Sequence, residues 1–251
     1  MALIFLLCFG SEMDNEIKIE QLHKALSKYA IFSQLKKDNL NLMTTKGLVH
    51  DHVWIKPDSC SDHSMMVRVP RLSQFGLDPR ENLKYQSACF SKASLSNHTP
   101  KLILVVEPSA CLPMGALVVE FIQGKNIVLP KDLNGMAECF ARVHSLKTPR
   151  NPAPSGLVYH IDPIAGVVNT IKEQSKFIND ATDDIQVQKI LNEEVEWASE
   201  FARQNSNLHP APRLCLTDTH PGNFLTDTSG KVFFVFFVKA LYVSHAIDLG
   251  H

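Results

Sequence analysis

One polar segment of the chain carries residue types that could perform chemistry: positions 216–225 read Leu-Thr-Asp-Thr-His-Pro-Gly-Asn-Phe-Leu. Within it, Asp218 precedes Asn223 by five residues. In phosphoryl transfer an aspartate accepts the proton of the attacking hydroxyl, and an asparagine a few residues later offers its amide oxygen to Mg²⁺. The spacing therefore predicts a loop with Asp218 as the base and Asn223 as a metal ligand. Taken alone, the same residue types also suit an ordinary tight turn.

This segment resembles the catalytic loop of the aminoglycoside phosphotransferase and choline kinase-like family, whose pattern is His-Gly-Asp-x-His-x-x-Asn. Asp218, His220 and Asn223 match that pattern. Other segments resemble the family's remaining landmarks in the family's order, namely the segment that links the lobes, a helix of the second lobe and a late helix start, at 118–124, 136–146 and 246–250. The resemblance implies a kinase-like fold and transfer of phosphate to a hydroxyl of a small molecule.

The resemblance also implies ATP and Mg²⁺ as cofactors. Arg68 occupies the third-strand position where related enzymes carry Lys or Arg on the nucleotide phosphates. Glu81 is its expected ion-pair partner, and Gln86 takes that place if the register of the next helix differs. Gly47, between two strand-like runs, is the candidate phosphate-covering turn.

The adenine of ATP is expected on the main chain from Glu120 through Phe121 to Ile122, where the family links its two lobes. The acceptor is expected to be an aminoglycoside, an amino alcohol or a sugar, and the sequence does not choose among them. Because the family's acceptor-binding helices would follow residue 251, an incomplete acceptor site is expected as well.

The pattern breaks at the strand that follows the catalytic loop. Phe236 stands where the family has its Mg²⁺-binding aspartate, and an aromatic ring cannot replace a carboxylate oxygen for this metal. Leu216 and Val238 likewise replace polar residues. Three readings stay open: an impaired enzyme that recruits another acid such as Asp227 or Asp248, an inactive pseudokinase or nucleotide-binding scaffold, and a decayed protein without a selected activity.

Four histidines could be interpreted as functional. His50 and His52 share one face of a predicted strand, but no third ligand is evident, so a metal site is not favoured. His144 and His220 are interpreted as structural hydrogen-bonding residues, because Asp218 already supplies the base.

Composition excludes several classes of protein. With 25 basic and 26 acidic side chains the net charge is −1, and no basic stripe indicates nucleic-acid binding. The six cysteines form no metal-binding spacing and fit a reducing compartment, so we expect a cytoplasmic location. The apolar run that opens the chain is too short to span a bilayer, and no membrane association is expected.

Hydrophobic periodicity predicts the elements that position these residues. Helices are expected from Ile19, at 78–93 with Asp78 as N-cap, and at 133–146, 163–180 and 184–204, with strands at 40–56, 64–69, 102–106, 116–121, 214–216 and 231–238. Strands with one helix, followed by helices, indicate an α+β fold with two lobes. We expect an N-terminal extension over 1–16, a nucleotide-binding lobe of antiparallel sheet over 17–122, and a mainly helical lobe over 123–251.

Overall fold

The computed structural model describes residues 14–43, 49–56, 64–150, 156–206, 208, 211–235 and 239–249. It confirms the predicted α+β fold with two lobes. The predicted boundaries between the lobes stay a prediction. Gly47, Phe236 and Val238 lie outside the described residues.

A five-stranded antiparallel sheet in the order β1-β2-β3-β5-β4 forms the first lobe. Its strands are β1 (Leu40–Leu42), β2 (His50–Ile55), β3 (Met65–Pro70), β4 (Leu102–Val106) and β5 (Ala116–Glu120). The helices of this lobe are α1 (Asp14–Leu26) and α2 (Pro79–Ala93). As predicted, Asp78 is the N-cap of α2, and its side chain accepts hydrogen bonds from the main-chain N–H groups of Arg80 and Glu81.

The second lobe combines four helices with two small sheets among the described residues. The helices are α3 (Leu133–His144), α4 (Pro163–Ser175), α5 (Ile178–Ala181) and α6 (Ile185–Gln204). One sheet has the order β10-β9-β6 and the other β7-β11-β8. Their strands are β6 (Gly124–Asn126), β7 (Val158–Tyr159), β8 (Arg213–Cys215), β9 (Phe224–Asp227), β10 (Val232–Phe234) and β11 (Leu241–Val243). Helices α3 and α6 were predicted, and the one helix predicted over 163–180 is divided into α4 and α5. Strands β6, β7, β9 and β11 were not predicted.

Two apolar clusters hold these elements together. The smaller cluster joins α1 to one face of the five-stranded sheet, with Leu26, Val67 and Val118 at its centre. The larger cluster joins α2 to α3 and to the strands around the catalytic loop, and it includes Phe90 and Phe224. Since the larger cluster contains residues of both lobes, burial of its apolar surface fixes the sheet against the loop that carries Asp218.

Within the described ranges, the structure contains no helix that is both long enough and apolar enough to cross a bilayer.

Candidate functional site

The loop that carries Asp218 connects β8 to β9. At its start the main-chain N–H of Asp218 donates to the carbonyl of Leu216 over 2.9 Å, and Thr217 between them has φ +67°. This three-residue turn puts a β-branched residue in the left-handed region, which is costly. The turn directs the Asp218 side chain outward, where 62% of it is exposed.

Asp248 braces this turn from beneath. Its fully buried carboxylate accepts the main-chain N–H of Thr217 at 2.8 Å and that of Leu216 at 3.0–3.1 Å. Nε2 of His144 lies 2.9 Å from the same carboxylate, and the Thr219 hydroxyl donates to the Asp248 carbonyl. Buried donors and acceptors are costly when unpaired, so these contacts fix the loop in one conformation. Neither the bracing role of Asp248 nor its contact with His144 was predicted.

Asn223 lies at the end of a 3₁₀ turn over Pro221–Asn223 and is buried. Its side-chain amide Nδ2 donates to the Asp218 carbonyl over 2.6 Å, and its own main-chain carbonyl accepts the N–H of Val235. Among the described residues its Oδ1 has no hydrogen-bond partner. The structure thus brings Asp218 and Asn223 together. Nε2 of His220 lies 3.9 Å from Oδ1 of the exposed Asp218 carboxylate, and the Asn223 amide oxygen is left for another partner.

Arg68 reaches the same region from β3. It is 3% exposed, its guanidinium carbon lies 5.0 Å from the ring centre of Phe90, and Nη1 donates to the Val235 carbonyl over 3.2 Å. Burial lowers the pKa of Arg68 to about 10, which still leaves the side chain charged at neutral pH. Arg68 therefore links the sheet of the first lobe to the segment that follows β10.

Glu81 and Gln86 occupy different sides of α2. Glu81 is exposed, whereas Gln86 is 3% exposed with Oε1 3.0 Å from Nε2 of His50. Burial, reinforced by the charge of Arg68, lowers the pKa of His50 to about 3, so the neutral ring donates this bond. An exposed Glu81 does not support the predicted ion pair with buried Arg68, and the alternative, Gln86, is the residue that faces the interior. The buried residues of α2 recur with helical periodicity and leave Glu81 out, a signal that the sequence contained.

The segment from Glu120 to Ile122 leaves the sheet at the junction of the lobes. The main-chain N–H of Glu120 donates to the carbonyl of Lys101, and that of Phe121 donates to the carbonyl of Ser64. Both N–H groups are therefore already hydrogen-bonded within the protein. The main chain of Ile122 makes no hydrogen bond with any residue that the structure describes. Of the three predicted adenine-binding residues, Ile122 alone retains both a donor and an acceptor.

The comparisons with known proteins bear on the fold. No family model and no curated protein matches the chain. Solved structures do match. An ethanolamine kinase from Plasmodium vivax is 16% identical, with a TM-score of 0.63 over 98% of this chain and 73% of that one. A macrolide 2'-phosphotransferase from Brachybacterium faecium is 12% identical, with a TM-score of 0.57 over 92% and 76%. An aminoglycoside phosphotransferase from Streptomyces rimosus, in complex with ADP and streptomycin, is 12% identical, with a TM-score of 0.55 over 91% and 80%.

The chain has the fold of aminoglycoside phosphotransferases and choline and ethanolamine kinases. At these identities the likeness is one of fold. What a chain with this phosphotransferase fold can do depends on its own site residues.

A Mg²⁺ site in this phosphotransferase fold would need hard oxygen ligands. Oδ1 of Asn223 fits that need. Asp248 does not, because its carboxylate is held by two main-chain N–H groups and His144. Asp227 does not either, since its Oδ1 accepts the N–H groups of Ser229 and Lys231 in the turn between β9 and β10. Apart from the Asp218 carboxylate, which is predicted to be the base, the described residues of the loop provide one suitable ligand, and their donor set does not complete a Mg²⁺ site.

The four histidines contact other residues of the protein. His50 and His52 are both buried on one face of β2, as predicted, and the rings are 6.1 Å apart. Nδ1 of His220 accepts the N–H of Gly222 and stabilises the 3₁₀ turn of the loop. His144 lies against Asp248, and among the described residues these two and Cys215 form the one group of three ligand atoms close enough to hold a metal ion.

Proposed function

We propose that this chain binds ATP between its lobes and is an impaired phosphotransferase that acts on a hydroxyl of a small molecule. The observation that carries the proposal is the pair formed by Asp218 and Asn223. The Asn223 side chain donates a hydrogen bond to the main-chain carbonyl of Asp218, while the Asp218 carboxylate stays exposed and the Asn223 amide oxygen stays available.

The residues have distinct roles in this proposal. Asp218 orients the acceptor hydroxyl and accepts its proton with its exposed carboxylate. The main-chain N–H and carbonyl of Ile122 bind the edge of the adenine. Arg68 contributes positive charge toward the phosphates from a position fixed by Phe90 and the Val235 carbonyl.

Mg²⁺, when bound, would neutralise the charge of the terminal phosphates. Asn223 would supply one ligand to it. Asp218 is assigned to the base, and the carboxylates of Asp248 and Asp227 accept main-chain hydrogen bonds of their own. Loss of one preorganised charge-stabilising group typically lowers the rate about 10²–10³-fold. Weak turnover is therefore expected, with an acceptor of the aminoglycoside, amino alcohol or sugar type.

A second function is a nucleotide-binding protein without catalysis. It is favoured by Phe236 in the sequence together with the engagement of Asp227 and Asp248 in hydrogen bonds of their own. Nucleotide binding through Ile122 and Arg68 does not require a complete metal site.

A thermal-shift titration separates the two functions. A ligand that binds only the native state raises the unfolding temperature. A shift that requires both ATP and Mg²⁺ supports the phosphotransferase, and a shift with ATP alone supports the nucleotide-binding protein. If neither condition moves the transition, ATP is not a ligand and both proposals are wrong.

Turnover is then measured with candidate acceptors as ADP release. Asp218→Asn should abolish it while leaving the ATP shift intact, and Phe236→Asp should raise it by restoring a carboxylate. Equal turnover in the wild type and in Asp218→Asn would rule out the role of Asp218. The matched control is Asp183→Asn, a change of the same type at an exposed acid before α6.

A further inference from the structure

Helix α6 exposes a stripe of large apolar side chains. None of its residues is buried, although the helix runs over 20 residues. The stripe, called here the α6 stripe, consists of five residues that are 40–66% exposed: Val187, Ile190, Leu191, Trp197 and Phe201. The Trp197 and Phe201 rings stack with their centres 5.7 Å apart. An apolar surface of this extent marks an interaction site more often than an ordinary solvent-facing surface.

The stripe is distinct from the side of α6 that packs inside the molecule. Helix α4 packs against α6. The half-buried residues of α6 are 188, 195, 198, 199 and 202. Most of them lie on a neighbouring side of the helix, and residue 198, seven positions after Leu191, borders the stripe. Since an α-helix has about 3.6 residues per turn, the stripe residues at spacings of 3, 4 and 7 form one continuous seam of about two heptads.

Glu194 lies at the centre of the seam, seven residues after Val187 and seven before Phe201. It is exposed and makes no ion pair or hydrogen bond within the described part of the chain. The neighbouring acids differ in this respect, because Glu193 pairs with Lys189 and Glu200 pairs with Arg203. The seam thus carries one uncompensated negative charge among its apolar residues.

We propose that the α6 stripe binds an amphipathic helix of a partner protein that carries a Lys or Arg opposite Glu194. Apolar residues at i, i+3/i+4 and i+7 of such a helix would cover the stripe, as in helix-in-groove recognition. A single polar residue in an apolar seam fixes the register of the two helices, and a basic residue is the complement of Glu194. This inference goes beyond phosphoryl transfer and does not depend on nucleotide binding.

A second copy of this chain is a poorer occupant. Glu194 is the midpoint of the seam, so antiparallel pairing of two α6 stripes would place Glu194 against its counterpart. Parallel pairing in register would do the same. Like charges in an otherwise apolar contact are unfavourable in both arrangements.

The test uses a synthetic 18-residue peptide of Leu, Lys and Ala, with Leu at helical spacing on one face and Lys elsewhere. Trp197 reports binding directly, because Trp54 is the other tryptophan and can be replaced by Phe. Burial of Trp197 should shift its emission to the blue. A scrambled peptide of the same composition and a peptide with Glu in place of Lys should bind at least about tenfold more weakly.

Two matched variants locate the contact. Glu194→Lys should weaken binding of the Leu/Lys peptide about fivefold or more, because it sets like charges against each other in the seam. Glu196→Lys makes the same change on the same helix outside the stripe, and its affinity should stay within about twofold of the wild type. Far-ultraviolet circular dichroism confirms that both variants are folded.

Four results would overturn the proposal. The first is an equal loss of peptide affinity in Glu194→Lys and Glu196→Lys, and the second is equal affinity for the scrambled and the Leu/Lys peptide. The third is the absence of binding up to about 1 mM peptide. The fourth is sedimentation in which wild-type chains associate and Trp197→Glu chains do not. A blue shift of Trp197 on vesicles of anionic phospholipid, without one on the peptide, would assign the stripe to a membrane surface instead.

Discussion

The side-chain amide of Asn223 donates a hydrogen bond to the main-chain carbonyl of Asp218, with 2.6 Å between nitrogen and oxygen. This contact closes the loop between β8 and β9 on itself. It also orients the Asn223 amide so that its nitrogen faces the loop, which leaves the oxygen for another partner. The two residues that the spacing selected are therefore mechanically linked.

Removal of this link should destabilise the protein without unfolding it. Asn223→Ala loses a buried hydrogen bond, and we expect the free energy of unfolding to fall by about 1–2 kcal/mol. Asp218→Asn keeps the main-chain carbonyl and changes an exposed side chain, so its effect should stay within about 0.5 kcal/mol. Urea unfolding of both variants measures the difference. Equal stability of Asn223→Ala and the wild type would mean that the contact does not hold the loop.

Thr217 should be a position where glycine stabilises the protein. Its φ of +67° is costly for a β-branched residue and free of strain for glycine, which stands at this position in the pattern His-Gly-Asp-x-His-x-x-Asn. Glycine also loses more chain entropy on folding, which offsets part of this relief of strain. We expect a net gain in the free energy of unfolding of about 0.5–2 kcal/mol. Thr219→Gly is the control, since Thr219 lacks a positive φ and its hydroxyl is bonded to Asp248. That variant should be less stable than the wild type.

Asp248 should matter more for stability than Asp227, although each accepts two main-chain N–H groups. Asp248→Asn replaces one oxygen of a buried carboxylate by an N–H₂ group, which cannot accept a hydrogen bond from the Leu216 N–H or from His144 at that position, and we expect a loss of about 2–3 kcal/mol. Asp227→Asn makes the same change in an exposed turn where water can substitute, with an expected loss of about 1 kcal/mol or less. Chemical denaturation gives the stabilities, and faster hydrogen exchange of the Leu216 and Thr217 amides would identify the site of the damage. Equal losses in the two variants would contradict the bracing role of Asp248.

Local signals in the sequence predicted the longer elements well. Asp78 followed by Pro79 marked the start of α2, and the alternation of apolar runs marked the β4–β5 hairpin; the structure has both. The strands that were missed are only two to four residues long. Each pairs with at least one distant segment, as β7 does with β11, although β9 also forms a hairpin with the adjacent β10. No periodicity can be read over so few residues, and the pairing is set by tertiary packing.

The sequence indicated candidate residues of the site, but it indicated mutual contacts only between residues that are neighbours in sequence. Asp218 and Asn223 share one loop, so their spacing was enough. The contact of Asp248 with Leu216 spans 32 positions, and that of Arg68 with Val235 spans 167. Such contacts depend on how the lobes pack. The role of Glu81 stays a prediction. Because each residue of a helix turns the side chain by about 100°, Glu81 and its alternative Gln86, five residues later, lie on different sides of α2.

Acid should destabilise the first lobe through its buried histidines. Burial, together with the charge of Arg68, lowers the pKa values of His50 and His52 to about 3, from an ordinary value of 6.5. Between those values the unfolded chain binds a proton at each histidine and the folded chain does not. The free energy of unfolding therefore falls as the pH decreases from 6.5 toward 3, and it is insensitive to these residues above pH 6.5.

The expected loss is on the order of 1–2 kcal/mol per histidine between pH 6.5 and pH 5.0. Urea unfolding at pH 7.5 and pH 5.0 measures it, with His50→Gln/His52→Gln as the comparison because glutamine does not titrate. The double variant should start from a lower stability at pH 7.5 and lose less of it at pH 5.0. His23→Gln is the matched control, since His23 is half-buried in α1 and bonded to the Leu35 carbonyl, away from Arg68. If the free energy of unfolding falls equally in the double variant and the wild type between the two pH values, protonation of His50 and His52 does not cause the acid destabilisation. Other groups must then bind protons on unfolding.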